Sequence, residues 1–294
     1  MVNDFKDIRI LKKNDLNFPK GFLDLKDCPE QIYVCGNDKI LNDFFVGIVG
    51  ARKCKFESQM MARKITSDLL QYNINIVSGL ALGIDSEAHR TCVENRKKTV
   101  AVLGGGLDKI YPSKNYKLAK EIIENGGALI SEYENGTSYL PRNLHNRNRL
   151  IAALSKGVLI VEAKRNSGSL ITARFAEKLK RDVFVLPGDV NDISYEGSNQ
   201  LLVKGKFCVR NAEDIVKKYD MLKCEKVTSK NKKNVIIPEG LSEIWNTISK
   251  KGSNIEEICN KLNSSVNVVL SKLTMLELSG LVSKKEGKFY KNIL

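Results

Sequence analysis

At 294 residues, with 42% hydrophobic and 28% charged side chains, the chain is long enough for roughly two folded domains and has an ordinary globular composition. Lys and Arg number 48 against 34 Asp and Glu, a net charge of +14 that points to a polyanionic partner, nucleic acid before an anionic membrane. No apolar run approaches the roughly 20 residues of a membrane span, and Met1–Leu11 lacks a signal peptide's apolar stretch, so a cytoplasmic protein without membrane insertion is expected.

Residues 8–45 carry Pro19, Gly21, Pro29 and Gly36, so 1–45 reads as an irregular lead-in packed on a sheet. From Val46 to Tyr219, short β-branched runs alternate with helix-length amphipathic segments, the pattern of parallel strands joined by crossover helices. Strands are predicted at Val46–Val49, Ile74–Val77, Thr99–Leu103, Ala128–Ile130, Val158–Val161 and Val183–Leu186. Helices are predicted at Glu57–Gln71, Ile84–Asn95, Asn115–Glu124, Arg147–Leu154, Ser169–Leu179 and Asn211–Tyr219. Near-continuous apolar strands are covered on both faces, so 46–219 is predicted to be an α/β domain, an extended Rossmann-like parallel sheet. Residues 217–233 then hold seven lysines against two acids, and 220–237 reads as a solvated basic linker. In 238–294, Ser242–Ser249 and Asn254–Leu262 are amphipathic, and Ser264–Leu278 carries Val266, Val269, Leu270, Leu273, Met275, Leu276 and Leu278 in a helical stripe. The tail GLVSKKEGKFYKN forms two short β runs about Lys285–Gly287. Three helices and a hairpin predict a small C-terminal winged helix-turn-helix domain.

The seven cysteines are odd in number and never in a CxxC pair, so they read as small buried filler rather than a disulfide framework or zinc knuckle. Two histidines, His89 and His145, stand outside any paired-ligand spacing, and no metal or other cofactor is expected.

In an open parallel sheet the carboxyl ends of the strands form the ligand-binding edge. Here Val49 runs into Gly50-Ala51-Arg52, Val77 into Ser78-Gly79, Leu103 into Gly104-Gly105-Gly106, and Ile130 into Ser131-Glu132. Val161 runs into Glu162 and then Arg165-Asn166-Ser167-Gly168-Ser169, and Leu186 into the turn Pro187-Gly188. One glycine after a strand is ordinarily a turn. So many small and polar endings in register predict a rim where backbone N–H groups and Arg52 meet phosphate. GxGxxG after the first strand and GxxxxGK[ST] are both absent, which disfavours NAD and ATP.

A second basic cluster holds Arg142, Arg147, Arg149, Lys164 and Arg165. Arg147 and Arg149 flank Asn148 where a polar segment becomes an apolar helix, a place from which guanidinium groups reach phosphates bidentately. A cap or local salt bridge is the alternative for either one, and the adopted reading is that the pair does not serve structure alone. Ser167 reads as the N-cap of the following helix, whose start is also a candidate phosphate site. The predicted DNA-binding set is Gly50, Arg52, Ser78, Gly79, Gly105, Arg142, Arg147, Asn148, Arg149, Lys164, Ser167 and Gly168.

Together these residues resemble the DprA (Smf) family of bacterial DNA-processing proteins. VGIVGAR, SGLALGIDSEAH, TVAVLGGGLDKIYPSKN, ISEYENG, RNRLIAALS, VEAKRNSGSLITARFA, VFVLPG and GSNQLL occur in that family's order. The lead-in FPKGFLDLKDCPEQIYVCGN and the C-terminal unit also look like the family's own. The resemblance implies a non-enzymatic recombination mediator that coats and protects incoming single-stranded DNA in natural transformation and loads a RecA-type recombinase. It implies a homodimer as well. By motif, Arg52 matches the family's DNA-contacting arginine, and Arg147 and Arg149 match its RNR segment beside the same pocket. Leu144-His145 stands where the family has an aromatic-proline pair, which leaves a base-stacking contact either missing or supplied by His145. Lys206 follows Gly205 where a small residue is usual, and the helical module many relatives carry before the lead-in is not expected.

Two other readings compete. Rossmann-like nucleotide phosphoribohydrolases use a PGGxGTxxE signature, where this chain has SGSLITA, with Glu132 and Glu162 as possible rim acids. A transcription regulator would place Ser264, Ser265, Asn267, Ser271 or Lys272 at the base edges of duplex DNA and Lys284, Lys285 and Lys288 on its phosphates. Against it, the helix is rich in apolar residues that must pack, and winged helices also serve as protein-interaction modules.

Overall fold

A computed structural model describes residues 5, 7–219, 240–249, 252–279, 281–285 and 287–292; the predicted linker 220–237 lies outside the described residues. The chain divides into two compact units, Met1–Val227 and Thr228–Leu294.

In the first unit the elements run β1 (Ile8–Lys12), β2 (Gln31–Gly36), β3 (Phe45–Val49), α1 (Phe56–Leu70), β4 (Asn75–Ser78), α2 (Ile84–Glu94), β5 (Thr99–Leu103) and α3 (Tyr116–Glu124). They continue with β6 (Ala128–Ser131), α4 (Pro141–Leu154), β7 (Gly157–Ile160), α5 (Ser169–Lys178), β8 (Asp182–Val185), α6 (Glu196–Val203), β9 (Phe207–Cys208) and α7 (Ala212–Lys218). The nine strands form one sheet in the order β1-β2-β6-β5-β4-β3-β7-β8-β9. From β6 to β9 every pairing is parallel.

The parallel strands are buried on both faces, and their residues alternate between two cores. Phe45, Val49, Val77 and Ile160 point to the side covered by α4 and α5. Val46, Ile48, Ile76 and Leu159 point to the side covered by α1, α2 and α7. α1 shows how a crossover helix seats itself: Ala62, Ile65, Thr66 and Leu69 fall on one stripe and are fully buried. The chain builds outward from β3 to β6, then returns through α4 to place β7 on the other side of β3. The loops leaving β3 and β7 therefore diverge to opposite faces, and a crevice opens at their carboxyl ends.

Three sequence expectations are corrected. Residues 8–45 are not an irregular lead-in: β1 and β2 pair with each other and β2 pairs with β6, all antiparallel, extending the sheet. Between them a short 3-10 turn, Lys20–Asp24, carries Phe22 into the core that holds Leu150 to Leu154 of α4. Gly21 admits this approach, since a Cβ there would lie 2.1 Å from the Ala153 carbonyl oxygen. α4 begins at Pro141 rather than Arg147, with proline in the first turn where its missing N–H is harmless. α6 and β9 had no counterpart in the sequence reading. The cysteines also differ in part from the expected filler: Cys35 and Cys92 are buried, but Cys208 is exposed, and the six described cysteines are free.

The second unit holds α8 (Ser242–Thr247), β10 (Ser253–Asn254), α9 (Ile255–Leu262), α10 (Val266–Leu278), β11 (Val282–Lys285) and β12 (Lys288–Lys291). Its strands form an antiparallel sheet ordered β10-β12-β11. Ile244, Ile258, Val269, Leu273, Leu276 and Phe289 make its core. α9 starts with a capping box between Asn254 and Glu257.

Candidate functional site

The crevice at β3 and β7 holds a cavity of about 450 Å³. Its walls come from several strand ends: Val49 at the end of β3 with Gly50 and Arg52 after it, Ala81 and Asp85 around the start of α2, Tyr111 after β5, and Ser167, Gly168, Ser169 and Thr172 at the start of α5. Tyr139 and the α4 residues Pro141, Leu144, His145, Arg147 and Asn148 complete it. Neither Gly104-Gly105-Gly106, nor Ser131-Glu132, nor Pro187-Gly188 reaches the cavity, so the predicted convergence is partial.

Arg52 is exposed and makes no hydrogen bond or ion pair among the described residues. The start of α5 is less open than its sequence suggests. Gly168 rather than Ser167 holds the N-cap position. Ser167 Oγ is engaged with Ser169 Oγ at 2.8 Å, and the Leu170 and Ile171 N–H groups close onto the carbonyls of Ser167 and Gly168. The remaining attraction for an anion is the helix dipole and the serine hydroxyls.

Arg147 is only 4% exposed. Its guanidinium donates to the carbonyls of Gly79 and Val102, and its Nε donates to Asn148 Oδ1 at 3.2 Å. It ties the ends of β4 and β5 to α4. Gly79 is glycine for this reason, because a Cβ there would sit 2.5 Å from the guanidinium. Asp85, buried alongside, accepts from the Gly79 N–H at 3.2 Å. Burial pushes its carboxyl above the usual range, against the pull of Arg147. His89 is fully buried with Nδ1 2.9 Å from Thr99 Oγ1; burial, and then the Arg147 charge, hold its pKa down to about 3.

Arg149 does not face the cavity. Its Nε donates to Asp27 at 2.6 Å and its two terminal nitrogens donate to the Glu132 carboxylate at 3.0 and 2.6 Å. Both arginines of the RNR segment make structural contacts: Arg149 clamps the β1–β2 connection to α4 and is turned from the cavity, which corrects its reading as a phosphate ligand, while Arg147 also forms cavity wall. Glu132 is held by that clamp, and Glu162 is fully buried and accepts from the Lys55 N–H at 2.9 Å. Neither acid that a hydrolase would need lines the cavity.

Of the other predicted residues, Gly50, Asn148, Ser167 and Gly168 line the cavity, and Gly79 lines a smaller adjoining one with Arg52, Tyr111 and Arg147. Ser78 is buried and donates to the Ile48 carbonyl at 2.6 Å, a strand-to-strand bond. Gly105 lies under the Tyr139 ring, and Arg142 and Lys164 are exposed outside the cavity walls. Asp85, Tyr111 and Tyr139 were missed. Asp85 in the first turn of α2 had a readable signal, an acid at a helix N-terminus on the ligand edge. Among the described residues no cluster of three His, Cys, Asp or Glu is placed to hold a metal ion, and no helix is long and apolar enough to cross a membrane.

The model of the family described as DNA recombination-mediator protein A matches residues 9–220. Protein Smf of Escherichia coli is 32% identical over 279 residues, 92% of this chain and 74% of that protein. DNA processing protein DprA of Streptococcus pneumoniae is 36% identical over 203 residues, 69% of this chain and 71% of that protein. The X-ray structure of the S. pneumoniae protein superposes with a TM-score of 0.68 at 35% identity, covering 72% of this chain and 75% of the other. A structure that addresses single-stranded DNA binding by the DprA of Helicobacter pylori gives 0.67 at 34% identity, covering 74% and 98%.

Proposed function

The chain belongs to the DNA recombination-mediator protein A family, and from that premise we propose that it binds single-stranded DNA at the switch-point cavity and acts as a recombination mediator. The observation that carries this reading is Arg52, an exposed cation free of ion pairs among the described residues, standing at the cavity beside the start of α5. The other arginine of the cavity wall, Arg147, is held by the protein itself. A strand's phosphate meets Arg52 and the serine hydroxyls, and the +14 net charge draws the polyanion in. Single-stranded DNA binding in the H. pylori relative supports the choice of strand.

The same reading includes protection of incoming DNA in natural transformation, loading of a RecA-type recombinase and action as a homodimer, on the strength of the family. No catalytic step is assigned. The second unit, with its order helix, strand, helix, helix, strand, strand, fits a winged helix. Its cations gather on the hairpin at Lys284, Lys285, Lys288 and Lys291, while α10 exposes Val266, Val268, Leu270, Met275 and Leu278. That distribution favours backbone contact by the hairpin over base reading by the helix.

Arg52→Ala tests the site. Single-strand affinity falls across all sequences in a gel-shift titration, and the slope of log affinity against log salt becomes shallower by about 0.7, one phosphate contact. Unchanged affinity and slope rule this cavity out.

A further inference from the structure

Tyr111 is an open aromatic side chain at the cavity, as His145 is on the facing helix α4. Tyr111 is 49% exposed and lines the main cavity and the smaller one, each time in company with Arg52. Its ring leans on Tyr139, with centroids 5.4 Å apart and planes inclined at 34°. Tyr139 is itself fixed. Its ring covers Gly105 so closely that a Cβ there would lie 2.6 Å from Cδ2, and its hydroxyl donates to the Gly106 carbonyl at 3.1 Å. The triple glycine after β5 thus seats one tyrosine so that it supports another.

The polar wall groups are turned to the protein's own chain. Asp85 accepts from Gly79, Asn148 donates to the Gly168 carbonyl and accepts from Arg147, and Arg147 donates to two carbonyls. Beyond the Arg52 charge and the hydroxyls at the start of α5, the cavity presents an aromatic face to a ligand.

We propose that Tyr111, propped by Tyr139, is the stacking platform for one unstacked base of the strand whose phosphate Arg52 holds. This rests on the single-strand reading above and names how that strand is gripped. An aromatic face accepts any base, and Asp85, Asn148 and Arg147 are turned to the protein's own chain, so the grip depends little on sequence. Duplex DNA, whose bases are already stacked, offers the platform nothing. The stacking contact that the sequence left either missing or to His145 is thereby assigned to Tyr111; Leu144 packs over Gly104, within 3.0 Å of where a Cβ would stand.

The full-length chain and its Tyr111→Ala, Tyr111→Phe and His145→Ala variants are titrated by fluorescence anisotropy with a thymidine oligomer and with the same oligomer carrying abasic sites. The wild type binds the abasic strand roughly tenfold more weakly. Tyr111→Ala binds the intact strand roughly tenfold more weakly and no longer distinguishes the two, and Tyr111→Phe restores the distinction. A Tyr111→Ala protein that keeps the wild-type abasic penalty overturns the platform, as does a penalty that disappears only in His145→Ala. Wild-type protein that binds neither oligomer overturns the single-strand reading itself, a separate result from the other two.

Discussion

Arg147 and Arg149 sit two residues apart on α4, so their side chains leave the helix about 200° apart and cannot serve one pocket. The predicted helix Arg147–Leu154 already held both, so this constraint was readable, yet the two were taken as a pair. The distinction has a measurable consequence. Arg149 has an 8% exposed side chain paired with the 13% exposed Glu132, so Arg149→Met leaves a nearly buried carboxylate without its partner. Urea melts are expected to show a loss of about 2–4 kcal/mol, while single-strand affinity of the folded protein stays within about twofold of wild type. Arg52→Ala behaves the opposite way, with stability within about 0.5 kcal/mol and weakened binding. His89 supplies a pH signature. Its pKa is about 3 folded against 6.5 for a free imidazole, so below pH 6.5 the unfolded chain takes up a proton that the folded one refuses. Stability is fully present above pH 6.5 and falls as pH drops toward 3, by at most about 1.4 kcal/mol per pH unit. His89→Gln flattens that part of the stability curve measured by denaturant titration; an unaltered curve excludes His89 as its source. The buried Asp85, whose carboxyl is raised, acts in the opposite sense, with stability lost as pH rises above its free value, and it is the same in both proteins.

The parallel strands and their crossover helices were legible because β-branched runs and amphipathic stripes are local patterns. Strand Thr99–Leu103 has the predicted bounds and most other elements shift by a residue or two. β1 and β2 were not legible: Pro19, Gly21 and Pro29 lie in the connection between them and Gly36 ends β2, so punctuation was mistaken for irregularity of the whole segment. The glycines were visible, but their purpose was not. Gly50, Gly79 and Gly105 read as phosphate cradles, whereas each makes room for a side chain: Ile84, the Arg147 guanidinium and the Tyr139 ring respectively. Only the fold reveals which neighbour arrives. From this follows an expectation for the β5–α3 connection. Gly105→Ala forces the Tyr139 ring away, at about 1–3 kcal/mol in stability, and lowers single-strand affinity without touching any phosphate ligand. Affinity equal to wild type would separate Tyr139 from binding.

At the scale of the chain, the charge excess and the division into two units were both readable from composition, since the lysine-rich stretch stands between two differently patterned segments. The linker itself lies outside the described residues. Because the cavity is built wholly from residues between Val49 and Thr172, a chain ending at Val227 is expected to keep its preference for single-stranded over duplex DNA in gel shifts. Loss of the preference would move the activity to the second unit. The sheet's antiparallel margin carries a different implication. β2 pairs with β6, which is synthesised only after β3, α1, β4, α2, β5 and α3. On the ribosome, the apolar run Ile32–Cys35 therefore emerges before its neighbour and waits for it, and a segment made ahead of the parallel strands is among the last to settle, exposed to chaperones and to mispairing in the interval.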